Sequence, residues 1–167
     1  MSDGNPGKTS GQDMDLSDVI APEAILPSLK ASSKKQALHA IAEKAAAITG
    51  VSERDIFDTL TRREKLGSTG VGGGIAIPHG KLAGLDRIIG IFARLAKPID
   101  FEALDETPVD LIFLLLAPES AGADHLKTLA RIARLFREPG VAGKLRASAD
   151  SNALYAVLTA EAANHAA

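Results

Sequence analysis

"VDLIFLLLA", residues 109–117, is apolar without a break from Leu111 to Ala117. A strand with one face in water alternates apolar and polar residues, because successive side chains point to opposite sides. An unbroken apolar run therefore predicts a central strand covered by helices on both faces. Seven apolar residues are too few to cross a bilayer, so the run marks a core rather than a membrane span.

Working outward from this strand, "GIAIPH" (74–79) and "DRIIGIFARL" (86–95) read as two more strands. The connections between Gly74 and Ala117 are hairpin-like and too short for helical crossovers, so the sheet is expected to be mixed. Further upstream, "DLSDVIAPEAILPSLKA" (15–31) alternates apolar residues with turn formers and offers a short strand over Ile25–Leu29. A helix follows, opened by Ser33 with Gln36 at capping-box spacing and closed by Gly50. Ser52 and Asp55 open a second helix, with apolar positions Ile56, Leu60 and Leu66 running towards Gly67.

Downstream, "DHLKTLARIARLF" (124–136) places Leu126, Leu129, Ile132, Ala133 and Phe136 at helical spacing, with Lys127, Arg131 and Arg134 directed to solvent. Two helices, Val141–Ala147 and Asn152–Ala163, are expected to close the chain. The expected fold is α/β: a mixed β-sheet sandwiched between helices, in a single domain.

Composition narrows the function. A chain of 167 residues suits one core, and a net charge of −2 gives no polyelectrolyte attraction to nucleic acid. Cysteine is absent, which excludes disulfide scaffolding, thiolate zinc sites and thiol catalysis. The opening stretch "MSDGNPGKTSGQDM" lacks the apolar core of a secretory signal; residues 1–14 are expected to form a flexible tail and 15–162 the domain, with the cytoplasm as the default compartment.

The segment "GSTGVGGGIAIPHGKL" (67–82) carries six glycines beside Pro78 and His79. It matches neither phosphate-binding fingerprint, since both would need glycine where Ile75 stands. Its N–H groups remain able to form an anion-binding nest, because glycine accepts the positive φ angles a nest needs. Pro78 biases Ile77 to extended geometry and lacks an N–H, so it is expected to end the ladder and leave His79 rigidly held and exposed.

Taken alone, His79 reads equally as a strand-end histidine satisfied by a carbonyl. Arg63 and Lys65 at the end of the preceding helix, and His125 at the N-terminus of a later one, surround it with positive character. Arg63 is equally a solvated helix-end cation, and His125 a surface residue beside Asp124. A neutral imidazole near its ordinary pKa is a good nucleophile, and cationic neighbours stabilise an added phosphoryl group; the combination points to phosphohistidine. His39 within a helix and His165 near the chain end have no neighbours that suggest chemistry.

"TRREKLGSTGVGGGIAIPHGKL" (61–82) together with "DLIFLLLAPESAGADHLKTLARIARLF" (110–136) resembles the IIA component of the bacterial phosphotransferase system, of the fructose/mannitol superfamily, and within it the nitrogen-regulatory branch. The likeness runs from about Ser17 to Glu161. It implies an α/β sandwich with a mixed sheet. It also implies that His79 is phosphorylated at Nε2, and that His125 and Arg63 support the phosphoryl group without carrying it. Gly73 stands where relatives more often have asparagine, which removes one side-chain hydrogen bond. No metal or other cofactor is implied.

The implied donor is an HPr-like phosphocarrier protein. In the regulatory branch the two phosphorylation states bind different target proteins, such as potassium-transport regulators or sensor kinases. The alternative is a IIA component of a fructose/mannitol-type sugar uptake system, donating phosphate to a separate IIB, since this chain has neither the IIB cysteine nor a membrane segment.

Overall fold

A computed structural model describes residues 16–160. The expected tail (1–14), residue 15, the last part of the expected terminal helix and His165 lie outside the described residues. A 3-10 turn, Pro22–Ala24, leads into β1 (Ile25–Leu29). Next come α1 (Lys34–Thr49), α2 (Glu53–Lys65), β2 (Gly70–Gly72), β3 (Ile75–Ala76), β4 (His79–Leu82), β5 (Ile89–Ile99) and β6 (Val109–Pro118). Three helices finish the described chain: α3 (Ala123–Arg137), α4 (Val141–Arg146) and α5 (Ser151–Leu158).

The six strands form one mixed sheet in the order β1-β5-β6-β3-β2, with β4 also paired to β6. Strand β6 runs antiparallel to β5 and parallel to both β3 and β4. All but Asp110 of its residues are buried, so both faces are covered, as the apolar run requires. Strands β4 and β5 do not pair with each other. They flank β6, and residues 83–88 join them past its C-terminal end.

Local signals at the helix ends act as expected. The Ser33 hydroxyl accepts the Gln36 N–H, and Gly50 closes α1 at φ +79°, donating its N–H to the Ala46 carbonyl. The Ser52 side chain accepts the Asp55 N–H at the head of α2. Gln36 Oε1 reaches back to the N–H of Ser32, one residue before the cap.

Five expectations about faces and strands need correction. "GIAIPH" is two strands, not one, because β3 stops at Ala76 and β4 begins at His79. Pro78 does not end the ladder: its carbonyl accepts the Leu115 N–H at 2.9 Å, and His79 stays in the sheet opposite Leu115. Leu66 lies beyond α2 and is 84% exposed. In α3 the buried residues are His125, Thr128, Ile132, Leu135 and Phe136, so the buried stripe includes His125 while Leu126 points outward. Arg131, expected in solvent, folds back onto Asp18 with a nitrogen–oxygen distance of 2.8 Å.

Candidate functional site

His79 is the first residue of β4, and its ring is held from both sides. Nδ1 lies 2.8 Å from the carbonyl oxygen of Ile77. A carbonyl only accepts, so this contact selects the tautomer with hydrogen on Nδ1 and leaves a lone pair on Nε2. Arg63, in the last turn of α2, donates from Nε to that Nε2 at 3.4 Å and from Nη1 to the Gly67 carbonyl at 2.8 Å. The ring is half-buried, not fully exposed as expected.

The second imidazole, His125, lies in the first turn of α3, with its ring centroid 5.6 Å from that of His79 and the planes tilted by 48°. It is 7% exposed, and its Nδ1 has no hydrogen-bond partner among the described residues. Burial, which disfavours the charged form, holds its pKa below the usual 6.5, with the positive character of His79 and Lys81 adding to the effect. Lys81 is two residues along β4 from His79 and so shares its face. Sequence reasoning passed over Lys81; the period-2 alternation of a strand was the signal that could have found it.

The structure thus brings His79, His125 and Arg63 together, from β4, α3 and α2. The helix ends are suited to this. Arg63 lies at the C-terminal end of α2, and the orphan N–H groups and partial positive charge of α3 begin just before His125. Among the described residues, no group of three or more His, Cys, Asp or Glu side chains could hold a metal ion. No described helix is long and apolar enough to cross a membrane.

The glycines serve the chain itself. Gly72, Gly73 and Gly74 have φ values of +102°, +67° and +83° and turn β2 tightly into β3. One N–H of the loop that could form an anion-binding nest is used internally: the Gly73 N–H donates to Asp105 Oδ2 at 3.0 Å, while Arg146 Nη2 donates to the Gly73 carbonyl at 2.7 Å. The N–H groups of Gly73 and Thr107 hold the Asp105 carboxyl below its ordinary range. A β-carbon on Gly74 would stand 2.5 Å from Arg146 Nη2, the end of a long side chain able to shift, so the φ of +83° is the reason for glycine here.

Two imidazoles and a guanidinium thus meet at the rim of a mixed-sheet α/β domain, with one imidazole nitrogen facing the guanidinium. Residues 18–161 match the family described as phosphoenolpyruvate-dependent sugar phosphotransferase system, EIIA 2, and the chain belongs to that family. It is 64% identical over 145 residues to a nitrogen regulatory protein of Bradyrhizobium diazoefficiens, covering 87% of this chain and 95% of that one. Against the nitrogen regulatory protein of Escherichia coli (strain K12), identity is 40% over 147 residues, covering 87% and 90%. The crystal structure of nitrogen regulatory protein IIA-Ntr from Neisseria meningitidis matches with a TM-score of 0.82 at 35% identity, over 86% of this chain and 99% of that one. Within the family the chain therefore falls with the nitrogen-regulatory branch.

Proposed function

We propose that this chain is a phosphoryl carrier whose acceptor atom is Nε2 of His79. The observation that carries the reading is the pair of contacts on that ring: Nδ1 bound to the Ile77 carbonyl, and Nε2 facing a guanidinium. The donor is the phosphohistidine of an HPr-like carrier. The Nε2 lone pair attacks phosphorus in line, the carrier's N–P bond breaks as the new one forms, and the released electron pair returns to the carrier's ring. The Nδ1 proton stays on the ring, donated to the Ile77 carbonyl.

Such a transfer exchanges one N–P bond for another, so catalysis reduces to positioning and charge stabilisation. Arg63 releases Nε2 and turns its N–H groups to the equatorial oxygens. His125, neutral because it is buried, accepts no net charge penalty at rest and donates a hydrogen bond once the dianion arrives. No cofactor takes part. The added charge of about −1.5 to −2 at this surface then changes which target proteins bind, with regulators of potassium transport and sensor kinases as the expected classes. The likeness to nitrogen regulatory proteins supports this output over donation to a sugar-specific IIB.

The test is incubation with the general relay enzyme, its carrier and phosphoenolpyruvate. One acid-labile, alkali-stable phosphate per chain is expected, and it should be lost in His79→Ala; label that persists in the variant would refute the assignment. A pull-down comparing the two phospho-forms then tests the regulatory output.

A further inference from the structure

The last turn of α2 carries two adjacent residues with opposite charges and separate partners. Arg63 faces His79, while Glu64 turns inward with its side chain only 6% exposed. One carboxylate oxygen of Glu64 accepts the Thr69 N–H at 3.1 Å, and the other accepts the Thr69 hydroxyl in a short hydrogen bond. Lys34, at the head of α1, lies 2.9 Å from the same carboxylate and stacks its ammonium over Phe101 at 4.9 Å from the ring centre.

Thr69, 4% exposed, is the node from which both halves of the site hang. Its carbonyl accepts the Ile77 N–H at 3.0 Å, and the Ile77 carbonyl is the one that holds His79 Nδ1. On the other side, the turn between Glu64 and Thr69 contains Gly67, whose carbonyl anchors Arg63 Nη1. An unbroken path of hydrogen bonds and one ion pair therefore runs Lys34, Glu64, Thr69, Ile77, His79, and the same turn sets the guanidinium.

We propose that Glu64, acting through Thr69, is the positioning residue for the site: it fixes the His79 tautomer and the place of Arg63 without touching either reacting atom. Neither residue follows from the glycine or histidine motifs. A carboxylate buried beside a cationic site would otherwise work against an incoming dianion. Lys34, shared with the exposed Glu102, pairs with it, and both carboxylate oxygens are engaged by Thr69 and not by His79. The pair thus acts on geometry, not by charge on the phosphoryl group.

The kinetic part of this inference rests on His79 being the acceptor; the tautomer part does not. The experiment uses the full chain labelled with 15N-histidine, comparing the parent with Thr69→Val, Thr69→Ser and Glu64→Ala. Thr69→Val removes the hydroxyl at nearly constant volume, Thr69→Ser keeps it, and Glu64→Ala removes both acceptors.

In long-range 1H–15N spectra, the parent should show His79 as the Nδ1–H tautomer, with that population falling in Thr69→Val and Glu64→Ala and restored in Thr69→Ser. Transfer from phosphorylated carrier should slow about threefold in Thr69→Val and about tenfold in Glu64→Ala, with KM for the carrier within about twofold. If Glu64→Ala fails to fold, the Val and Ser pair carries the test alone. An unchanged tautomer population in the folded variants, with rates within twofold of the parent, overturns the inference. A shifted tautomer in a chain that takes no label at His79 sinks the acceptor reading and supports the positioning role.

Discussion

Arg63 Nε lies 3.4 Å from Nε2 of His79, and the same guanidinium is tied by Nη1 to the carbonyl of Gly67 at 2.8 Å. The forked cation is held by a carbonyl on one side and presents a donor to the ring lone pair on the other. Removing a preorganised donor from a site of developing charge typically costs about 10²-fold in rate. Arg63→Ala should therefore slow phosphoryl acceptance by about that factor in a rapid-quench measurement, while His79 remains the labelled residue. Arg63→Lys should recover little, because one ammonium cannot bridge the Gly67 carbonyl and the phosphoryl oxygens as a planar fork does.

His125 makes a pH prediction whose sign follows from its environment. Its folded-state pKa is depressed by burial, helped by His79 and Lys81, whereas in the unfolded chain it returns to about 6.5. Below that value the unfolded chain binds more protons than the folded one, so the folded state loses stability as pH drops from about 6.5 through the depressed value. Above 6.5 both states are neutral here, and the effect vanishes. Denaturant unfolding of the parent and His125→Asn from pH 7.5 to 5 should show a steeper loss in the parent; parallel curves would show that His125 is not the group responsible.

Phosphorylation should reverse that shift. A dianion beside His125 favours its charged form, so its titration, followed by NMR, should move upward in the phosphorylated chain. In His125→Ala, transfer onto His79 should slow by about 10- to 100-fold with the acceptor site intact. An unchanged rate would remove His125 from the mechanism.

How far the sequence alone leads depends on whether a signal is local. The run ending at Ala117 dictates a strand with two covered faces whatever its neighbours do, and Ser33 and Gly50 set their helix ends through bonds spanning three or four residues. The buried stripe of α3 is less local. Counting only apolar residues puts Leu126 inward, but His125 and Thr128 are the residues that face the sheet, and Leu126 is left 65% exposed. A helix buries whatever lies on the side towards its partner, and here an imidazole occupies a core position. The glycine hairpin misleads in the opposite sense. Its N–H groups look available for a ligand, yet Asp105, 32 residues later, already holds one of them, and no short-range pattern announces that contact. The histidine pair was legible because each residue stands at an element boundary: His79 opens β4, and His125 lies in the first turn of α3.

Leu66 and Leu126 are exposed next to the two groups that carry the site, one just beyond Arg63 and the other directly after His125. Large apolar side chains so placed suit the approach of the proposed carrier, which would bring its own imidazole up to Nε2. Leu66→Glu and Leu126→Glu should each raise KM for the carrier by about tenfold, and change folding stability by no more than about 0.5 kcal/mol because neither side chain is packed. A drop in single-turnover rate at saturating carrier, with KM unchanged, would show that these leucines act on the chemistry instead of on docking.

Gly80, directly after His79, shows why the motif ends as it does. Its φ is not in the left-handed region, so torsion alone would permit alanine there. Space does not: a β-carbon would stand 2.6 Å from Cγ2 of Thr59, on the face of α2 packed against β4. Thr59 is one helical turn before Arg63, so where its side chain does not rotate away, relief of that contact lifts the end of the helix that carries the guanidinium. Overpacking of this kind costs about 1–3 kcal/mol. Gly80→Ala should lower unfolding stability within that range and also slow transfer, through a widened gap between Arg63 and His79. The companion variant Gly80→Ala/Thr59→Ser removes the opposing methyl group. If the clash is the cause, it should restore most of both losses; if stability returns while the rate stays low, the slowed transfer does not come from displacement of α2.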